Sequence, residues 1–81
     1  MDYKGRLVKS IAGHDKNTVL YVLEADGEYL MLADGRHRKV QKPKRKKQRH
    51  VLLINTAAYS GPVTNKSIHA FIREATYLLN N

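Results

Sequence analysis

Eighty-one residues with 42% apolar side chains fit one small domain, and the absence of cysteine excludes a disulfide framework and a zinc-thiolate site. Fifteen Lys and Arg against seven Asp and Glu leave a net charge of +8, which favours polyanionic partners. The first residues, MDYKGRLVKS, carry no apolar signal core, and no stretch approaches the ~18 apolar residues of a membrane span, so the chain reads as soluble and cytoplasmic.

Taken in chain order, the pattern predicts strands near Arg6–Lys9, Thr18–Glu24 and Glu28–Ala33. The second and third are short apolar runs, TVLYVLE and EYLMLA, joined by ADGE. Asp-Gly between such runs signals a hairpin, because glycine accepts the positive φ of the tight turns that match strand twist. A second Asp-Gly, at Asp34-Gly35, predicts a further strand at Arg36–Val40, and VLLIN predicts a fifth at Val51–Asn55. Short strands linked by tight turns predict a mainly β fold, a small antiparallel barrel of about five strands, whose closure would remove exposed edges. Ser60-Gly61-Pro62 then breaks the strand pattern. Beyond it, Ile68, Phe71, Ile72, Ala75, Leu78 and Leu79 recur at spacings of three and four, one apolar stripe on a C-terminal α-helix from about Lys66 to Leu79. Thr64 or Asn65 can supply its N-cap oxygen. The organisation expected is a barrel over residues 1–58, with a basic loop at 36–50, and a turn and amphipathic helix over 59–81 packed on it.

The charge is not spread evenly. Between Arg36 and His50 stand nine Lys or Arg and no acid; the rest of the chain holds six basic and seven acidic residues, a net of −1. The whole excess therefore lies in fifteen residues. A chain that uses charge only for solubility mixes its signs, whereas a single-sign patch makes a local field that attracts polyanions.

Several features of this segment and its surroundings resemble bacterial KOW-domain RNA-binding proteins, which are similar to the KOW-bearing large-subunit ribosomal proteins of archaea and eukaryotes. They are Gly5 before a basic-apolar strand, SIAGHDK with Gly13 and Asp15, Asp34-Gly35 followed by Arg38, and KPKRKK followed by His50. The resemblance spans residues 5 to about 53. It implies an SH3-like barrel that binds RNA, commonly ribosomal RNA. His14 stands where that family usually carries a basic residue, and Asn17 where it carries glycine. Asparagine tolerates the left-handed backbone region better than most residues, so the turn can survive.

The candidate RNA-binding residues fall in two groups. Lys42, Lys44, Arg45, Lys46, Lys47, Arg49 and His50 belong to the basic loop, and Arg36, Arg38 and Lys39 to the strand expected before it. Lys and Arg neutralise phosphates and release counterions, the main source of sequence-independent affinity. Arg36 and Arg38 would share a face by the period of two. Gly13, His14 and Lys16 in the loop AGHDKN form the second group, with Asp15 assigned a structural role because its charge repels phosphate. Tyr21 and Tyr29 lie within apolar strands and read as core, so no aromatic stacking platform is expected. The substrate class is then structured RNA recognised by backbone and shape.

Catalysis is not expected. Ser10, His14 and Asp15 are neighbours in sequence, but a triad needs spatial geometry. His14, His37, His50 and His69 have no metal-ligand spacing, and no Gly-rich phosphate loop precedes a helix. No cofactor, metal or small-molecule substrate is expected. Besides ribosomal RNA, a protein partner met through the barrel or the C-terminal helix is the alternative reading, as in transcription factors with KOW-type barrels. PKRKK as a nuclear import signal is weaker, because it is wedged between strands rather than displaced from the fold.

Overall fold

The computed structural model describes residues 2–54 and 57–79. Five antiparallel strands form one sheet in the order β4-β3-β2-β1-β5, followed by a helix. The strands are β1 (Leu7–Ser10), β2 (Val19–Asp26), β3 (Tyr29–Ala33), β4 (Lys44–Lys47) and β5 (Val51–Leu53), and α1 runs Asn65–Leu79. The edge strands β4 and β5 are joined by a single 3₁₀ turn, Gln48–His50. Three residues can connect opposite edges only if the sheet curls strongly, and the β-bulge between Val22 and Glu24 adds twist in the same sense.

Strand alternation sorts the apolar side chains onto two surfaces. Val8, Leu20, Val22, Leu30, Leu32 and Val51 fill the concave side, with Tyr3 and Leu53 packed against them. Leu7, Tyr21 and Ala33 point to the convex side and meet Ile68 and Ala75 of α1, flanked by Phe71 and Ile72. The helix thus packs across the strands as its stripe predicts. Leu78 departs from that reading: it is 66% exposed, beyond the edge of the covered area. The Leu79 side chain lies outside the described residues. Tyr21, Tyr59 and Phe71 close this second core, with centroids 5.1–6.3 Å apart and two of the three pairs edge-to-face.

Thr64 caps α1. Its Oγ1 accepts from the Ser67 amide at 3.0 Å, while its own amide donates to Ser67 Oγ at 2.9 Å, a reciprocal pair that satisfies an orphan donor of the first turn. Asn65 is used differently. Its Oδ1 accepts from the Val40 amide and its Nδ2 donates to Gln41 Oε1, tying the start of the helix to residues 40–41. Gly35 lies beneath the same turn, with φ +81 and so little room that a Cβ there would overlap the Asn65 carbonyl.

Two expectations are corrected here. Residues 36–40 are not a strand. Asp34 Oδ1 accepts from the Arg36 and Arg38 amides, both at 2.8 Å, and Asn65 takes the Val40 amide, so the donors a ladder would need are already used. The fourth strand lies later, at Lys44–Lys47, within the segment read as a loop. Pro43 stands immediately before it, a place where the missing amide interrupts no ladder. The fifth strand is described as Val51–Leu53; Asn55, its expected end, lies outside the described residues.

Candidate nucleic-acid interface

The register of β4 decides what each charge of KRKK does. Leu30 pairs with Lys46 and Leu32 with Lys44, so both lysines share the concave face of those leucines. Tyr29 pairs with Lys47 and Met31 with Arg45, which places Arg45 and Lys47 on the convex, outward face.

The inward pair meets Asp15. Lys46 Nζ lies 2.9 Å from Asp15 Oδ1 and donates to the Ala12 carbonyl at 2.8 Å, and Lys44 Nζ lies 3.0 Å from Asp15 Oδ2. The Ser10 hydroxyl sits 2.8 Å from Asp15 Oδ1. Side-chain exposure is 8% for Lys46 and 17% for Asp15, so the Lys46 ammonium is inside the fold. Burial alone would raise the Asp15 pKa, but hydrogen bonds from Lys46, Lys44 and Ser10, with the Lys46 charge, outweigh it and hold the carboxyl well below the usual range. Asp15 therefore clamps the first loop to β4, the structural role its charge suggested. Asn17 adopts φ +74, completing the turn where a glycine would otherwise be expected.

This arrangement divides the candidate residues. The nine cations of residues 36–50 are not without acid partners: Asp15 engages Lys44 and Lys46, and Glu28 lies 3.7 Å from Lys47. Lys46 is buried and its ammonium is taken up by Asp15 and the Ala12 carbonyl. Among the described residues, Arg36, Arg38, Lys39, Lys42, Arg45 and Arg49 have no carboxylate within ion-pair distance, and all six are exposed. Arg36, Arg38, Lys39 and Lys42 ride on the bends that Asp34 and Asn65 shape rather than on a strand.

Two clefts gather the candidates. His14 from the first loop, Arg38 and His37 from the 34–42 loop, and Lys44 from β4 line one of about 300 Å³, with Asp15 and Asp34 in its wall. The two groups picked from the sequence thus converge. Gly13 and Lys16 stay exposed on the tip of the first loop. Tyr3, Glu28, Lys47, Gln48 and Arg49 line a second cleft of about 380 Å³ at the far end of β4. His50, half-buried in the 3₁₀ turn, uses its carbonyl to accept from the Ile11 amide at 2.9 Å.

One residue escaped the sequence reading. Tyr29 belongs to neither core cluster; it is half-buried on the outward face, with the Arg45 guanidinium carbon 3.7 Å from its ring centroid and Lys47 Nζ at 5.8 Å. The signal was hidden because Arg45 reaches Tyr29 across strands, sixteen positions away.

The described residues contain no group of three or more His, Asp or Glu placed to hold a metal ion, and no helix is long and apolar enough to cross a membrane. The chain matches no protein-family model and no curated protein.

Proposed function

We propose that this chain is an RNA-binding module of KOW type, associated with the ribosome in the cytoplasm, that contacts structured RNA through phosphates. One observation carries the reading: six exposed cations, on the 36–42 bends and around β4, have no carboxylate within reach among the described residues. An unneutralised cluster of this kind is electrostatically costly in the isolated protein, and a polyanion relieves it by counterion release. The loop that holds four of the six is fixed from below by Asp34, Gly35 and Asn65, so little backbone order is lost on docking.

Co-sedimentation with ribosomal subunits, and titration of ribosomal RNA fragments across a salt series, test it. Six phosphate contacts give a slope of log K against log salt of about −4 to −5. A slope near zero, or no binding at low salt, overturns it. A second reading, a protein-interaction module, draws on Tyr77 and Leu78, which are 69% and 66% exposed near the end of α1. Neutralising the six cations together would then leave partner binding intact, whereas RNA binding would be lost.

A further inference from the structure

We propose that Arg45, laid against Tyr29, is a stacking surface for an unpaired nucleobase, so that the preferred RNA carries a bulged or looped nucleotide. This deepens the RNA-binding reading and rests on it.

Arg45 differs from the other exposed cations. At 3.7 Å from the Tyr29 centroid its guanidinium is in van der Waals contact with the ring, while the residue itself remains exposed. A contact this close to the centroid suits a head lying over the ring, and the exposure of Arg45 leaves room for a second plane on it. A guanidinium is delocalised and weakly hydrated on its faces, and bases stack on it as they do on aromatic rings. Phosphate contact needs no such arrangement; exposed side chains such as Lys42 and Arg49 suffice for it.

The surroundings favour a base over a phosphate at this point. In the β2–β3 ladder Asp26 pairs with Tyr29 and Glu24 with Met31, so both carboxylates share the convex face with Tyr29. Glu28 adds a third at the hairpin, beside Lys47. Glu24 is paired with Lys4 at 3.2 Å and Glu28 with Lys47, so Asp26, with no cation within ion-pair distance among the described residues, is the acid that repels a phosphate on the β2 side of the ring. An RNA backbone held by the cations of the 36–42 bends and Arg49 is kept on the β4 side, and only an uncharged base can extend over Arg45. The Asp26 carboxylate would then accept a hydrogen bond from a base amino group.

The test compares two RNA hairpins of equal length and charge, one an uninterrupted duplex and one carrying a single bulged 2-aminopurine. Wild type is expected to bind the bulged hairpin about 5- to 150-fold more tightly, the range of one base–aromatic stack, with a change in 2-aminopurine emission. Arg45→Lys keeps the charge but lacks the plane, and Tyr29→Leu keeps the bulk but lacks the ring. Each should bring the preference close to unity and leave both the duplex affinity and the salt slope in place. Equal wild-type binding to the two hairpins, or a preference that survives Arg45→Lys, overturns the stacking surface and leaves the phosphate reading standing. Binding to neither hairpin at low salt overturns both. Circular dichroism of each variant establishes that it is folded.

Discussion

Replacing Asp15 by Asn removes the carboxylate that holds three donors at once, and its effect can be worked from the geometry. Lys46, with 8% of its side chain exposed, then has only neutral acceptors, the Ala12 carbonyl and the new amide oxygen, and no compensating charge. Breaking a buried pair by removing one member costs about 3–5 kcal/mol, because the other charge is left without compensation. Here the Ala12 bond survives and Lys44, 32% exposed, can rehydrate, which lowers the cost to about 2–3 kcal/mol. For a domain of this size each kcal/mol moves Tm by about 4–8 °C, so a fall on the order of 10–20 °C is expected in thermal melts followed by circular dichroism. The pH dependence has a definite sign. Since the folded-state pKa of Asp15 is depressed, its contribution is full above the ordinary carboxylate value of about 3.9 and is lost as pH falls below it. The gap between wild type and D15N should therefore be complete at pH 5 and shrink below about pH 4. D15N also removes one negative charge without touching an exposed cation, so below its melting point it should bind RNA at least as well as wild type. A Tm within about 3 °C of wild type would refute the clamp. Lost RNA binding in folded D15N would refute the assignment of Asp15 as purely structural.

Replacing Arg36, Arg38 and Lys42 together by Ala should flatten the salt slope of RNA binding by about 2–3, with Tm changed only slightly, because these side chains pair with no acid among the described residues. Gly35→Ala should destabilise by about 3 kcal/mol in urea titrations, since it adds a collision with the Asn65 carbonyl to the strain of positive φ. Gly27→Ala, at φ +60 with no atom within 4 Å of the added carbon, should cost only about 1 kcal/mol; equal losses at the two sites would show that Gly35 is not wedged against the helix. Ile68→Ala, at a fully buried position between α1 and the sheet, should cost about 3–4 kcal/mol, and a loss below about 1 kcal/mol would mean that the helix is not docked there.

The elements readable from the sequence were those with an apolar signature. β1, β2, β3, β5 and α1 each place hydrophobic side chains at the period of their structure, and their positions were found within a few residues. β4 has none: KRKK offers no hydrophobic alternation to detect, so its period of two is invisible until the partner strand supplies the inward side. A strand at Arg36–Val40 would follow if Asp34-Gly35 made a simple hairpin. Asp34 instead turns its carboxylate back onto two following amides, and Asn65, twenty-five residues beyond Val40, takes a third. No local window contains that last partner. Of the candidate site, the location of the charge was legible and its division was not. Composition counts cations, whereas register determines which of them meet an acid within the fold.

That division also explains how a strand of four cations can hold an edge of the sheet. Side by side in a loop, four like charges would repel and extend. In β4 the alternation sends Lys44 and Lys46 to one carboxylate and leaves Arg45 and Lys47 beside the Tyr29 ring, with Glu28 at the margin. The inner face is compensated by a carboxylate, whereas on the outer face Arg45 has only the ring beside it and keeps its charge for a ligand. The edge then serves two purposes. Its charged side chains discourage pairing with another chain, and its outer row presents a cation in a fixed position rather than on a mobile tether. A loop with the same composition would lose side-chain freedom at every contact with RNA. Strand β4 has already lost it on folding, through Asp15 on one side and Tyr29 on the other.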